Sequence, residues 1–388
     1  MPVRRRTKYI MPRSRSGRPW AVYLLLLVVG IGLGAWFMWL GARPKAPVRV
    51  VAITPAVTVT QAPPPLPPPP VTQPTNPPAP PPPIPPPQPV ARTNPEPVLA
   101  GGFPRPVADV FEAQLALDRL GISSGSLDGL IGPQTRAALR AFQEKEHLSA
   151  TGGLDADTKE RLLLAAPPYT THTVTSNDLS RLQPLSGTWL GKSQQTALDY
   201  ETILELVAEK GHSHPNLIRQ LNPSIQWASV PEGATLRLPD VVRCEPGAKA
   251  AFATISLSGK ALEAFDANTN LLVHFPCSIA QRVEKRPVGE LHVAVIAPNP
   301  NYTFDPDVFP ESAEARQIKT KLILPPGPNN PVGVAWIGLD KPGYGIHGTP
   351  SPEQVGRTES HGCFRLANWN AEYLLKLVWI GMPVYVEP

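Results

Sequence analysis

The residues with the clearest chemical potential lie in a glycine-rich segment near the C-terminus, GIHGTPSPEQVGRTESHGCFRL (345–366). His347 precedes Cys363 by sixteen positions, and His361 lies two residues before the same cysteine. A thiol reacts as its thiolate, and a neighbouring imidazole or helix start makes that state more accessible. This pattern is compatible with a cysteine nucleophile and a histidine base, for which both histidines are candidates.

Two other interpretations fit the same segment. Zinc needs three or four ligands, and the nearby carboxylates are only Glu353 and Glu359. The paired spacings Cys-x-x-Cys and His-x-x-x-His are absent, so we expect no metal and no cofactor. An inert thiol beside inert histidines is the commoner case in an arbitrary domain, and spacing alone does not exclude it.

Glycine is frequent around the cysteine, where it would let a backbone approach a reacting carbonyl closely. Backbone N–H groups near Gly362 and Cys363 could also stabilise an oxyanion. The glycines concerned are Gly343, Gly345, Gly348, Gly356 and Gly362.

The elements that must position this segment are short strands. From Ala250 onward, alternating apolar residues are separated by Gly, Pro and Asn, with a hairpin expected around Ser258-Gly259. One helix is expected near NAEYLLKLVWIG (370–381). About 140 residues of this kind predict an all-β sandwich or barrel with its own core.

The segment resembles the signature of L,D-transpeptidases of the YkuD type: His-Gly-Thr, then Ser-His-Gly-Cys-x-Arg. Here these are His347-Gly348-Thr349 and Ser360-His361-Gly362-Cys363-Phe364-Arg365. The resemblance covers roughly 250–388. One departure is KRPVGELHV (285–293), where the family usually has Thr-Pro-x-Gly-x-Phe; Arg286 replaces the Thr and His292 follows Leu291. The preference for the substrate that donates the acyl group could therefore differ from that of the family, because the loop 285–293 borders the substrate cleft in relatives.

The resemblance implies a role for each matching residue. Cys363 would be the nucleophile and His347 the general base, oriented by the backbone of Gly348. His361 and Gly362 would shape the oxyanion hole and cleft. Arg365 would hold the nucleophile loop or a substrate carboxylate, with a structural ion pair as the alternative, and Ser360 would support the loop or serve only as a turn residue.

A helical unit upstream resembles the peptidoglycan-binding domain of cell-wall enzymes. DVFEAQLALDRLG, PQTRAALRAFQ and LDADTKERLLL each have helical apolar spacing. The resemblance covers 108–165 and rests on Gln114, Leu117, Gly121, Asp128-Gly129, Gly132, Thr135, Phe142-Gln143, Gly153 and Thr158.

Residues 169–242 are predicted to form strand, helix, helix, strand, which resembles a LysM glycan-binding module. The first connection, SRLQPLSGTWLGKSQQTALD (180–199), is long where LysM modules have a short turn. This departure puts carbohydrate binding in doubt.

The net charge of +5 is misleading as a nucleic-acid signal. Residues 1–49 hold ten Lys or Arg and no Asp or Glu, which leaves 26 basic and 31 acidic residues in the remainder. We therefore expect no nucleic-acid partner. The apolar run from Trp20 to Ala42 is long enough to cross a bilayer and longer than the apolar region of a signal peptide, which favours an uncleaved anchor. The basic tail before it predicts that the C-terminal part lies outside. A cleaved signal peptide is the alternative.

Twenty prolines fall within residues 61–97, which predicts a semi-rigid polyproline II spacer. A ligand for proline-binding modules is the alternative.

A location outside the cytoplasm permits disulfides. Cys244 and Cys277 could form a bridge, or both could be buried thiols.

Together these features predict a multidomain α+β protein of the inner membrane facing the periplasm. Its partners would be peptidoglycan stem peptides and glycan strands, and its activity L,D-transpeptidation. A non-catalytic wall-binding protein and a hydrolase of the same fold are the alternatives. The predicted parts are a basic tail (1–19), a transmembrane helix (20–42), a disordered Pro-rich linker (43–105), a peptidoglycan-binding domain (106–168), a LysM-like module (169–243) and an all-β catalytic domain (248–388).

Overall fold

The computed structural model describes residues 102–309, 312–358 and 362–388, all within the compact unit Ala91–Pro388. The predicted basic tail, the transmembrane helix and nearly all of the linker lie outside the described residues. Within these ranges, no helix combines the length and apolar content needed to cross a bilayer.

Three helices form the first domain, as predicted, and we call it the helical domain (105–164). Its apolar faces pack around Leu115, Leu117 and Leu139, which are at most 1% exposed. The side chains of Asp109 and Asp155 cap two of the helices by accepting backbone N–H bonds. The elements are β1 (Arg105–Pro106), α1 (Val110–Arg119), α2 (Pro133–Lys145), α3 (Ala156–Arg161) and β2 (Leu163–Leu164).

The predicted linker boundary at residue 105 is wrong by a few positions. Arg105 already belongs to β1, which pairs antiparallel with β2. Its guanidinium makes a bidentate ion pair with Glu112, with N–O distances of 2.6 and 2.7 Å. Phe103 packs against the core of the helical domain. Order therefore begins before Pro106 because this strand closes the helical domain.

The second module (169–239) has two terminal strands and four helices between them. The strands pair antiparallel, and the longest helix of the module, Ile203–Lys210, buries Ile203, Leu206 and Val207 as the sequence predicts. The stretch between the first strand and this helix holds two short helices, which the sequence did not indicate. The elements are β3 (Tyr169–Thr173), α4 (Ser176–Ser180), α5 (Trp189–Ser193), α6 (Ile203–Lys210), α7 (Pro215–Leu221) and β4 (Thr235–Pro239).

The strand-rich domain (250–388) is built on one eight-stranded mixed sheet, in the order β13-β12-β11-β8-β14-β5-β6-β7. The long β8 joins its halves, because its first residues pair with β14 and its later ones with β11. A helix packs on the sheet, and β9 with β10 forms a separate hairpin. The elements are β5 (Phe252–Ser256), β6 (Ala261–Phe265), β7 (Leu271–Pro276), β8 (Gly289–Pro298), β9 (Tyr302–Phe304), β10 (Leu322–Leu324), β11 (Ala335–Leu339), β12 (Gly345–His347), β13 (Phe364–Arg365), α8 (Asn368–Leu377) and β14 (Pro383–Glu387).

A buried carboxylate of the helical domain joins all three parts. Asp118 is fully buried; it accepts from His212 of the second module at 2.9 Å and from Arg243 at 2.5 Å. Arg243 also donates to Asn370 on α8 at 2.8 Å. Burial alone would raise the pKa of Asp118, but Arg243 and His212 lower it to about 2. The carboxylate is therefore ionised and fully engaged at neutral pH.

A loop of the helical domain also pairs its backbone with both neighbours. Ser123 N–H donates to the His274 carbonyl at 2.8 Å, in the strand-rich domain. Leu127 N–H donates to the His212 carbonyl at 2.8 Å, in the second module. We call this junction, together with the Asp118 cluster, the three-way junction.

The possible Cys244–Cys277 bridge is not formed. Cys277 is a fully buried thiol whose pKa is raised by burial, whereas Cys244 is exposed. The buried-thiol interpretation is therefore correct for Cys277 and wrong for Cys244.

Candidate active site

Two short strands place the cysteine and the first histidine on the same face of the sheet. β12 pairs in parallel with β13, with Ile346 opposite Phe364 and His347 opposite Arg365. Ile346 and Phe364 point into the core at 0% and 1% exposure, so the alternating pleat directs His347 and Arg365 to the other face. Cys363 directly precedes β13 and shares that alternation with Arg365. One face of the sheet thus carries the thiol, the imidazole and the guanidinium.

The imidazole of His347 is held in one tautomer. Its Nδ1–H donates to the carbonyl oxygen of Gly348 at 2.6 Å. Because a carbonyl can only accept, this bond places the proton on Nδ1 and leaves Nε2 as the basic nitrogen. The ring also stacks on Trp336, with centroids 5.7 Å apart. The Gly348 bond is the one that the resemblance implies for orienting a general base.

The electrostatic environment keeps this imidazole neutral. Burial lowers the pKa of His347 to about 4; the bond to Gly348 opposes this shift, and the positive charge of Arg365 adds to it. At neutral pH the ring can therefore accept a proton at Nε2 but carries no charge of its own.

The thiol of Cys363 is half-buried, and burial raises its pKa above the ordinary value. A hydrogen bond from the Gly345 backbone and the charge of Arg365 oppose that shift. The Sγ–H donates to the carbonyl of Gly343 at 3.5 Å. The resting site thus contains a neutral thiol and a neutral imidazole rather than a preformed ion pair, an arrangement suited to general-base activation of the thiol.

The glycine at the start of β12 is required by packing. A Cβ on Gly345 would lie 2.6 Å from the Trp336 ring, too close for any side chain. The indole can lie over β12 and reach His347 only because position 345 has no side chain.

Asn368, at the start of α8, is a positioning residue that sequence reasoning missed. Its Oδ1 accepts from the Thr349 N–H at 2.9 Å, and its Nδ2 donates to the Pro328 carbonyl at 3.1 Å. A Cβ on Gly348 would overlap with the same Oδ1. The His-Gly-Thr turn is therefore anchored to α8. An asparagine three residues after the Cys-x-Arg motif was the only available sequence signal.

The second module contributes to this anchor through a half-buried carboxyl. Glu209 accepts from Asn368 Nδ2 at 3.0 and 3.2 Å. Burial raises the pKa of Glu209 to about 8, although the bond to Asn368 opposes the shift. The carboxyl is thus largely protonated at pH 7.

Arg365 points toward a cavity of about 400 Å³ that it helps to line. Its backbone pairs with Ser278, at 2.9 and 3.0 Å. Burial lowers the pKa of Arg365, while Cys363 and Tyr302 oppose that shift. The described part of the chain places no carboxylate within ion-pair distance of the guanidinium, so the alternative of a structural ion pair has no partner among these residues.

Several predicted positions are not tested by the geometry. Ser360 and His361 lie outside the described residues. Arg286 donates to the Ala280 and Gln281 carbonyls, away from the cavity that Arg365 lines.

No group of three or more His, Cys, Asp or Glu side chains within residues 102–309, 312–358 and 362–388 is arranged to hold a metal ion.

Comparison with known families agrees with this organisation. Residues 250–386 match the YkuD family, described as the L,D-transpeptidase catalytic domain, and residues 106–162 match a peptidoglycan binding domain. The predicted catalytic and peptidoglycan-binding domains are thereby confirmed.

Individual relatives show the same similarity. The protein named L,D-transpeptidase YkuD in Bacillus licheniformis is 24% identical over 185 residues, 48% of this chain and 93% of the relative. That named L,D-transpeptidase YqjB in Bacillus subtilis is 35% identical over 105 residues, 26% of this chain and 51% of the relative. A solved L,D-transpeptidase from Mycobacterium smegmatis, 17% identical, aligns over 41% of this chain and 76% of its own with a TM-score of 0.29, too low to support a structural argument.

Proposed function

We propose that this L,D-transpeptidase acts through Cys363 and His347 on the stem tetrapeptide of peptidoglycan. The observation that supports the proposal is the pairing of β12 with β13, whose register puts the thiol on the same face as an imidazole whose Nδ1–H is fixed on Gly348. A cysteine nucleophile and a histidine base oriented by a third group suit acyl transfer through a thioester.

In the first half-reaction, His347 Nε2 takes the proton of Cys363 as Sγ attacks the carbonyl that joins the third residue of the stem to the terminal D-Ala. The tetrahedral intermediate then collapses, and the C–N bond breaks. The imidazolium returns the proton to the departing amine. D-Ala leaves, and the acyl group remains on sulfur as a thioester.

In the second half-reaction, an amine attacks the thioester and His347 takes its proton. The C–S bond breaks, and the thiolate recovers the proton from the imidazolium. With a second stem as acceptor, the product is a cross-link between third residues. A wall-linked protein would be anchored instead, and water would yield only the trimmed stem.

The developing oxyanion needs donors close to Cys363. We assign this role to backbone N–H groups around Gly362 and Cys363, with His361 shaping the cleft. Ser360 would support the nucleophile loop. Arg365 would bind a substrate carboxylate, because its guanidinium faces the cavity without an acidic partner among the described side chains.

The helical domain would hold the enzyme on its polymeric substrate. A groove of about 580 Å³ runs between the helical domain, the second module and the loop at Arg357. Ser124 and Ser126, at 3% and 9% exposure, line it, and their hydroxyls have no hydrogen-bond partner among the described residues. Nearly buried hydroxyls without a hydrogen-bond partner in the protein favour a polar ligand such as a glycan strand or a stem peptide.

Two further features remain proposals. The second module would be LysM-like, because its terminal strands pair around two buried helices. The protein would be a single-pass protein of the inner membrane with its domains in the periplasm, a proposal that rests on the basic tail and the apolar run 20–42.

The test is incubation of the purified protein with tetrapeptide muropeptides, followed by mass spectrometry. We expect a cross-linked dimer and released D-Ala. Loss of D-Ala without dimer would indicate a carboxypeptidase, and unchanged substrate with retained binding to isolated cell walls would indicate a non-catalytic wall-binding protein. Cys363→Ala should abolish both products, whereas Cys244→Ala, at an exposed thiol away from the site, should leave them unchanged.

A further inference from the structure

The long connection in the second module packs against the strand-rich domain. We call residues 181–199, between α4 and α6, the inserted segment. Its Leu198 is fully buried against Phe304 and Leu324 of the β9–β10 hairpin. Leu185 and Trp189 pack on the same cluster. The inserted segment, which has no counterpart in a LysM module, thus forms part of a core of the strand-rich domain.

Backbone hydrogen bonds fix the inserted segment in place. Leu198 N–H donates to the Pro326 carbonyl at 2.9 Å, and Asn329 N–H donates to the Leu198 carbonyl at 2.9 Å. Leu190 N–H donates to Glu314 Oε1 at 3.1 Å. The inserted segment therefore presents its side chains at defined positions.

Trp189 stands at the point where the inserted segment meets the hairpin. Its indole stacks on Phe304 with centroids 4.4 Å apart and planes 15° apart, and on Phe309 at 5.9 Å. Lys192, one turn further along α5, has its Nζ 5.8 Å from the centre of the same indole. The stacking orients both residues toward the catalytic half.

Both side chains reach the cavity that Arg365 lines, and the lining of this cavity is cationic. Lys192 and Arg365 are its charged side chains, and no Asp or Glu borders it among the described residues. Hydroxyls and amides make up much of the remaining lining, which includes Ser278, Thr349, Ser351, Thr358, Asn329 and Gln354. Two cations surrounded by hydrogen-bond donors suit a carboxylate.

We propose that Lys192 and Trp189, which belong to the second module, are specificity-determining residues of the catalytic cleft and help Arg365 to recognise the terminal D-Ala carboxylate of the donor stem. Lys192 supplies a charge that binds the carboxylate, and Trp189 forms the wall against which the D-Ala methyl packs. This inference rests on the proposed function, because the ligand is the donor substrate of the same site.

The experiment compares two donors with the full-length protein: a tetrapeptide with a free C-terminal carboxylate and the same peptide as its C-terminal amide. D-Ala or D-alaninamide release is followed at varied donor concentration. Lys192→Gln should raise KM for the free acid about tenfold, the usual effect of losing a charge-assisted hydrogen bond, with little change in kcat. KM for the amide should be the same in wild type and variant.

The control is Lys210→Gln, an exposed lysine of the same module outside the cavity, which should leave both KM values unchanged. Trp189→Ala should weaken both donors, and Trp189→Phe should restore most of the loss because a ring still stacks on Phe304. Thermal melting of each variant identifies any that fail to fold, and Lys192→Gln lies outside the buried cluster.

The outcomes separate the two proposals. If the wild-type protein releases no D-Ala from either donor, the proposed function itself fails. If the wild type is active and Lys192→Gln matches it on the free acid, or impairs both donors equally, the role of the inserted segment in carboxylate recognition is refuted while the enzyme assignment stands.

Discussion

Burial of His347 and Cys363 sets the pH range in which the site can work. Both groups are neutral at rest: the pKa of the imidazole is lowered and that of the thiol is raised. The proton therefore has to move from sulfur to nitrogen during the attack, with the substrate already in place.

The acid limb of the pH profile should report His347. Because its pKa is lowered to about 4, the base stays neutral, and therefore able to accept a proton, down to that pH. We expect kcat/KM, which reports free-enzyme ionisations, to show no loss from this group between pH 5 and 7 and to fall as the pH drops through about 4. A limb centred near 6.5, the ordinary value for histidine, would contradict the burial argument.

At the scale of elements, the strands and helices were largely predictable, but their long-range partners were not. Alternating apolar residues located β8 and β11, and helical spacing located α1 and α6. Asn368 and Trp189 act through contacts with residues far away in the sequence, and no local pattern marks such contacts. The short β12 and β13 were not predicted as strands, although the His-Gly-Thr and Cys-x-Arg motifs marked the segments that form them.

β12 should tolerate no side chain at its first position. Gly345→Ala would force a Cβ to within 2.6 Å of Trp336, and overpacking of this kind costs about 1–3 kcal/mol. We expect a lower melting temperature and a loss of activity of at least about tenfold, because displaced indole and backbone disturb both His347 and Cys363. Gly247→Ala is the matched control, since its added Cβ meets nothing within 4 Å; equal behaviour of the two variants would refute the packing argument.

At the scale of the whole molecule, the second module helps to position the active site of the strand-rich domain. Glu209 anchors Asn368, and Asn368 anchors the turn that carries His347 and Thr349. The Asp118 cluster ties the helical domain to both. The predicted division into separate modules describes the order along the chain, but the contacts between modules had no sequence signal.

The half-buried Glu209 should make stability fall with rising pH. Its folded pKa of about 8 is raised above the ordinary 4.3 or so, so its contribution is complete below about pH 4.3 and is lost as pH rises through about 8. Glu209→Gln, which keeps the hydrogen-bonding shape without ionising, should melt at a higher temperature than wild type at pH 8.5, with a smaller difference at pH 5. Melting curves at both pH values test this.

Glu144→Gln, at an exposed carboxyl of the helical domain, is the control and should follow wild type at both pH values. A Glu209→Gln variant with the same pH dependence of melting as wild type would show that the carboxyl is already ionised in the folded protein.

The three-way junction has a geometric consequence for work on a polymer. Main-chain hydrogen bonds and an ionised carboxylate hold the helical domain at a fixed distance from Cys363. With peptidoglycan bound to the helical domain as proposed, the enzyme would reach stem peptides only at one distance from its binding site, so the spacing of its products would follow the repeat of the glycan strand.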